Sequence, residues 1–251
     1  MSNLKNKKIK IFADGADLIS IKKLNEDPNI SGFTTNPSLM KKAGIVDYKK
    51  FSKDVLKIVT PKPVSFEIFS DDLEEMYEQA KKIASWGKNI FVKIPITNSK
   101  GVKTFKLVKR LLDEGIKCNV TAILTINQVK EIYEISNNKT EIIISIFAGR
   151  IADTGVDPVP LMTEAINLCK TKANIEILWA STRELLNIFQ AEKINCHIIT
   201  VQHEILKKVS MIGKDLGQLS LETVQTFLTD ATKAGFKDNW YRFIDKDIIV
   251  K

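Results

Sequence analysis

Short apolar runs rich in β-branched and aromatic residues recur along the chain, and between them lie longer stretches whose apolar positions fall at helical spacing. The runs are Ile9 to Ala13, Gly32 to Thr35, Val64 to Phe69, Asn89 to Ile94, Lys117 to Ile123, Glu141 to Phe147, Glu176 to Ala180 and His197 to Val201. The intervals, about 20 to 30 residues, leave room for a helix and two short loops. Leu73, Met76, Tyr77, Ala80 and Ile83 would share one helix face, as would Phe105, Val108, Leu111 and Leu112. Asp113-Glu114-Gly115 then reads as a helix end before the fifth strand. Eight strands alternating with helices predict an α/β fold, a (β/α)₈ barrel, with an open doubly wound sheet as the alternative. The open sheet usually carries a glycine-rich phosphate loop after an early strand, and neither GxGxxG nor a Walker-type loop occurs. Without a Pro-, Gly- or Ser-rich linker, residues 1–251 read as one domain. A C-terminal helix over 220–235, introduced by Ser220, and an unassigned tail over 236–251 would complete it.

The fourth run, Asn89-Ile90-Phe91-Val92-Lys93-Ile94-Pro95, breaks the pattern with one lysine. Burial disfavours an ammonium, so lysine is rare in a core strand. A desolvated neutral amine can also attack a carbonyl and form a Schiff base. The ordinary alternative is a lysine at a strand end that snorkels to solvent.

In a (β/α)₈ barrel, chemistry sits where the strands end at their C-termini, and these ends are polar in seven successive strands. The first ends in Asp14-Gly15-Ala16-Asp17 and the second in Thr34-Thr35-Asn36-Pro37-Ser38. The third carries Glu67, the fourth Lys93, and the fifth Asn119 and Thr121, two apart and therefore on one face. Ser145-Ile146-Phe147-Ala148-Gly149-Arg150 and Ser181-Thr182-Arg183 follow in the sixth and seventh. Taken singly, Asp14, Asn36 and Ser181 could each be a helix N-cap. Taken together they suggest imine chemistry, in which a lysine-bound ketone becomes an electron sink that lets a carbon–carbon bond break or form. Glu67 and Asp14 suit the proton transfers such a cycle needs. Arg150 and Arg183, with Ser181, suit a phosphate.

Composition narrows the partners without naming one. The chain is 44% hydrophobic and 27% charged, an ordinary soluble balance. Its net charge of +8 favours an anion, whether nucleic acid, an acidic membrane surface or a phosphorylated small molecule. Lysines alternate with glutamates on helical faces, as in Glu74-Glu75 and Lys81-Lys82, so much of that charge reads as solvated surface. Cys118, Cys169 and Cys196 lack metal-type spacing and sit in or beside apolar segments, favouring a reduced, cytoplasmic setting. Neither signal peptide nor membrane anchor is expected. His197 and His203, on opposite sides of the eighth strand's end without carboxylate spacing, read as structural.

The same segments resemble the transaldolase family, which includes smaller fructose-6-phosphate aldolase-like members. The likeness runs from about residue 9 to residue 235. It is carried by Asp14-Gly15-Ala16-Asp17, Thr34-Thr35-Asn36-Pro37-Ser38, Val92-Lys93-Ile94-Pro95, Asn119-Val120-Thr121, Phe147-Ala148-Gly149-Arg150-Ile151 with Asp153, and Ala180-Ser181-Thr182-Arg183. The resemblance implies Lys93 as Schiff-base nucleophile and Asp14 as general acid/base, with Glu67 and Thr121 holding the water that shuttles protons. It implies that Asn36, Asn119 and Ser145 bind substrate hydroxyls and that Arg150, Ser181 and Arg183 hold the phosphate, with neither metal nor cofactor. Fructose-6-phosphate aldolase-like members carry glutamine in place of Glu67 and tyrosine in place of Phe147, so both positions resemble true transaldolases. Phe147 offers no hydroxyl to protonate a bound three-carbon carbanion, which favours transfer to an acceptor over release.

Three departures stand out. Gly15 replaces a common threonine and would add backbone freedom beside the acid/base. Gln202 replaces a usual proline, and Thr182-Arg183 differs from an aromatic-containing version. The expected activity is dihydroxyacetone transfer between phosphorylated sugars, without nucleic-acid or membrane partners, with a homo-oligomer left open. The alternatives are an aldolase of the same family, for fructose 6-phosphate or a specialised sugar, and an inactive barrel that binds anions or nucleic acid through its basic surface.

Overall fold

A computed structural model describes Leu4 and residues 7–235 of the chain. Eight parallel strands pair in sequence order and close into a barrel. They are β1 (Lys10–Asp14), β2 (Ile30–Thr34), β3 (Val64–Glu67), β4 (Ile90–Pro95), β5 (Cys118–Ile123), β6 (Ile142–Ile146), β7 (Ile175–Trp179) and β8 (Ile198–Gln202). The intervening helices are α1 (Leu18–Asn25), α2 (Pro37–Lys42), α3 (Tyr48–Val59), α4 (Leu73–Ala84), α5 (Phe105–Asp113), α6 (Ile126–Ile135), α7 (Ala148–Ala152), α8 (Val159–Cys169) and α9 (Leu186–Lys193). After β8 come α10 (His203–Leu206) and a 3₁₀ turn, Lys207–Met211. The closed barrel, not an open sheet, is the architecture.

The helices follow the predicted faces. Met76, Tyr77, Ala80 and Ile83 are the buried residues of α4, and Leu107, Val108, Leu111 and Leu112 those of α5. Gly115, at φ +79°, ends α5 in the left-handed region, and its amide returns to Leu112 O. Asp17, Asp47, Asp72 and the Thr125–Gln128 capping box start α1, α3, α4 and α6 by accepting otherwise orphaned helix amides.

The barrel interior changes character along its axis. Phe12, Phe91, Ile143, Leu178 and Ile198 pack into one buried cluster. Side chains on a strand alternate faces, so the next inward position is two residues on. From Phe12, Phe91, Ile143 and Ile198 that step leads to Asp14, Lys93, Ser145 and Thr200. An apolar plug thus fills the lower barrel, and a polar layer stands above it at the strands' C-terminal ends.

The chain divides into two compact units, residues 1–210 and 211–251. In the second, α11 spans Leu216–Lys233 and is capped by Asp215, whose side chain accepts from the Gln218 amide. It therefore begins before Ser220, the start expected from the sequence; Asp215 makes the capping bond, and Gly217 and Ser220 lie inside the helix. The tail over 236–251 lies outside the described residues.

Candidate active site

One cavity of about 330 Å³ opens at the C-terminal ends of the strands. Asp14, Asn36, Glu67, Lys93, Asn119, Thr121, Ser145, Phe147, Arg150, Ser181 and Arg183 all line it. The structure thus brings together the eleven residues given catalytic or substrate-binding roles from the sequence.

Lys93 stands at its centre. The β-ladder places Glu67 and Asn119 in register with it on either side. Lys93 is only 8% exposed, which rules out the snorkelling alternative. Its Nζ donates to Thr35 O at 3.2 Å and lies 3.4 Å from Glu67 Oε2. Glu67 Oε2 and Thr121 Oγ1 are buried without hydrogen-bond partners among the described residues. The unpartnered Thr121 hydroxyl and the Glu67 oxygen ion-paired with Lys93, facing one cavity, suit a small hydroxylic guest.

Asp14 lies across the cavity wall on β1. Thr34 Oγ1 donates to Asp14 Oδ1 at 2.8 Å, and Asn36 Nδ2 reaches Oδ2 at 3.4 Å. Burial pushes the Asp14 carboxyl above its ordinary range, aided by the Glu67 charge and opposed by Lys93, Thr34 and Asn36. Asp14 caps no helix, since Asp17 does that for α1. Asn36 does cap, accepting from the Leu39 amide, while its amide nitrogen faces Asp14.

Asn119 bridges β3 and β6: its Nδ2 donates to Ser65 Oγ at 2.9 Å, and Ser145 Oγ donates to its Oδ1 at 2.6 Å. The bridge fixes both side chains in the buried barrel interior. Phe147, at the end of β6, packs on the apolar plug and lies under the Arg150 guanidinium, 5.6 Å from its ring centre.

At the β6–β7 edge the backbone is crowded. Gly149 is the place of closest approach, since a Cβ there would stand 1.6 Å from Ser181 O. Ser181 itself takes φ +63°, a strained conformation for a non-glycine residue. It caps no helix; the left-handed turn instead follows directly on β7. Arg183 meets Asp153 in a two-pronged ion pair, Nε to Oδ1 at 3.0 Å and Nη2 to Oδ2. Arg150 and Arg183 line the same end of the cavity as Ser181.

The sequence matches the family model described as transaldolase/fructose-6-phosphate aldolase over residues 11–242. The chain belongs to the transaldolase/fructose-6-phosphate aldolase family. A protein of Thermoanaerobacter sp. (strain X514) named "Probable transaldolase" is 34% identical over 233 residues, 92% of this chain and 97% of that one. One of Nitrosopumilus maritimus (strain SCM1) with the same name is 34% identical over 90% of this chain and 96% of its own. A crystal structure of type I 3-dehydroquinate dehydratase from Clostridium difficile, with covalently modified comenic acid, matches with a TM-score of 0.53. That match covers 82% of this chain and 93% of the other at 10% identity, a likeness of fold alone.

Within this transaldolase-family site, Thr200 was not singled out from the sequence. It lines the cavity and shares a hydrogen bond with Thr34, which holds Asp14. Its signal was the two-residue step from Ile198. Ser65 and Asp153, to which the sequence gives no role, pair in the structure with Asn119 and Arg183. Gly15 does not use its backbone freedom, since its φ is outside the left-handed region. Its missing side chain instead leaves space for the His203 ring. His197 accepts from the Ile177 amide through Nδ1, a structural bond between β8 and β7. Both histidines do have carboxylates nearby in space, Glu176 for His197 and Asp17 and Glu204 for His203. Among the described residues no group of acidic, histidine or cysteine side chains could hold a metal, and no helix is long and apolar enough to cross a membrane.

Proposed function

We propose that the protein is a transaldolase that moves a dihydroxyacetone unit from a ketose phosphate, such as fructose 6-phosphate or sedoheptulose 7-phosphate, to an aldose phosphate. The observation that carries this reading is the burial of Lys93 at the centre of a polar cavity, 3.4 Å from Glu67 and across from Asp14. Lys93 must shed a proton before it attacks the ketose carbonyl, and the Glu67 carboxylate is the acceptor within reach. Addition gives a carbinolamine, and loss of water from it gives the imine. Glu67 Oε2 and Thr121 Oγ1, neither holding a hydrogen bond among the described residues, suit the water that carries protons in this step and in its reversal.

Asp14 then takes the proton of the hydroxyl next to the scissile bond. The carbon–carbon bond breaks, its electrons pass into the imine, and an aldose phosphate leaves. An acceptor aldehyde enters, the retained carbon attacks it, and Asp14 returns the proton to the new hydroxyl. Asn36, Asn119 and Ser145 serve as partners for the sugar hydroxyls, while Arg150, Ser181 and Arg183 receive the phosphate. Phe147 presents a ring without a proton to give, which supports retention of the three-carbon fragment until an acceptor arrives. A reduced, cytoplasmic setting belongs to the same proposal and is supported by three free thiols, all buried.

Borohydride added with a ketose phosphate should reduce the imine and leave a mass adduct on the protein. Lys93→Ala should leave none, and an unmodified wild-type mass under these conditions overturns the reading.

A further inference from the structure

A second cavity, of about 230 Å³, adjoins the first and shares Asp14, Leu39 and Gln202 with it. Gly15 and His203 form one of its walls. A Cβ at residue 15 would stand 2.5 Å from His203 Cε1 and 2.7 Å from Nε2, so the imidazole occupies the volume of the side chain that Gly15 lacks. Nε2 is buried there without a partner.

The remaining polar groups of this cavity are mostly committed. Asp17 accepts the first amides of α1, and Glu204 pairs with Lys207. Gln202 is different. It ends β8 in register with Asp14 on the neighbouring strand, lines both cavities, and its side-chain amide makes no hydrogen bond among the described residues. Adjacent strands lie about 4.8 Å apart, so Gln202 stands beside Asp14 at the same level of the barrel mouth. A primary amide presents both donor and acceptor, which matches a hydroxyl and gives no preference to a charge.

We propose that Gln202, set between the two cavities by the Gly15–His203 wall, binds the hydroxyl on the carbon next to the acceptor's aldehyde and thereby selects hydroxylated aldose acceptors. The inference rests on the transaldolase reading, in which Asp14 returns its proton to that aldehyde oxygen.

The test compares acceptors in the wild type and Gln202→Leu, a change at an exposed position. Initial rates with fructose 6-phosphate as donor are measured with erythrose 4-phosphate and with its 2-deoxy analogue. The wild type should prefer the hydroxylated acceptor, and Q202L should narrow that preference by roughly tenfold, the weight of one hydrogen bond. An unchanged ratio between the two acceptors overturns the subsite. Borohydride trapping on both proteins separates the levels of failure. A wild type that gives no donor adduct defeats the transaldolase reading and this inference with it. A wild type that gives one, with an unchanged acceptor ratio in Q202L, defeats the subsite alone. Should Q202L fail to trap donor, Gln202→Asn, which withdraws the same amide by one carbon, is put through the same comparison with the same two outcomes.

Discussion

Asp14 illustrates how a residue useful for chemistry weakens the fold that holds it. Burial raises its folded-state affinity for a proton above that of the unfolded chain. The folded state therefore binds more protons across the interval from the unfolded pKa up to the folded one, and stability falls as pH rises through it. Below that interval the carboxyl is neutral in both states and costs nothing extra. Asp14→Asn removes the ionisation, so the variant should melt above the wild type at neutral pH, with the gap closing as pH falls toward the ordinary carboxylate range. Thermal melts at several pH values check this, and a gap that widens toward acid contradicts it. Activity should move the other way. Loss of a positioned acid/base costs roughly 10²- to 10⁴-fold in kcat, whereas donor trapping on Lys93 should survive better than turnover.

Elements place the phosphate end of the site, and one glycine sets their spacing. Alanine in place of glycine within a helix ordinarily stabilises by about 0.5–1 kcal/mol. At Gly149 in α7 the added Cβ would lie 1.6 Å from Ser181 O, a backbone atom that cannot swing aside. Overpacking of this kind costs about 1–3 kcal/mol, so the steric effect wins. Gly149→Ala should lower Tm and push α7 away from the turn that carries Ser181 and Arg183. The KM for a ketose phosphate should rise by roughly tenfold, as one charge-assisted contact is lost, while an unphosphorylated donor is spared. Kinetics with fructose 6-phosphate and with fructose, cleaved at the same carbon–carbon bond, measure the contrast, and equal KM changes for both would place the damage elsewhere. The same scale explains what was readable in advance. Lys93 was conspicuous because a charge interrupts an apolar strand, and the strand order set its neighbours. Thr200 was silent because threonine is ordinary in a strand. The Gly15–His203 contact joins the two ends of the barrel sequence, which no local pattern encodes. The stretch between β2 and β3 also gave no warning of two helices; Gly44, at φ +69°, separates α2 from α3.

At the scale of the whole molecule the open matter is how far the charge of +8 reaches. Many surface cations are already paired, among them Lys57 with Asp54, Lys103 with Glu131 and Lys109 with Asp113. The cavity itself is close to balance, with Lys93, Arg150 and Arg183 set against Asp14, Glu67 and the nearby Asp153. Screening shortens the reach of exposed charges to about 8 Å at physiological salt, so only local cations should matter to a bound phosphate. The KM for a ketose phosphate should accordingly rise by only about two- to fivefold between 20 and 500 mM salt, the weak response of a few partly exposed charges. Fructose, which carries no phosphate, should show a flat profile over the same range. A basic surface that binds nucleic acid behaves differently, since neutralising several phosphates at once gives losses of roughly 10³- to 10⁵-fold over a smaller salt range. Titrating labelled DNA beside the kinetic series decides between the two. Steep, sequence-independent DNA binding with a salt-insensitive KM would assign the charge to a nucleic acid, and the shallow KM profile alone would assign it to the sugar phosphate.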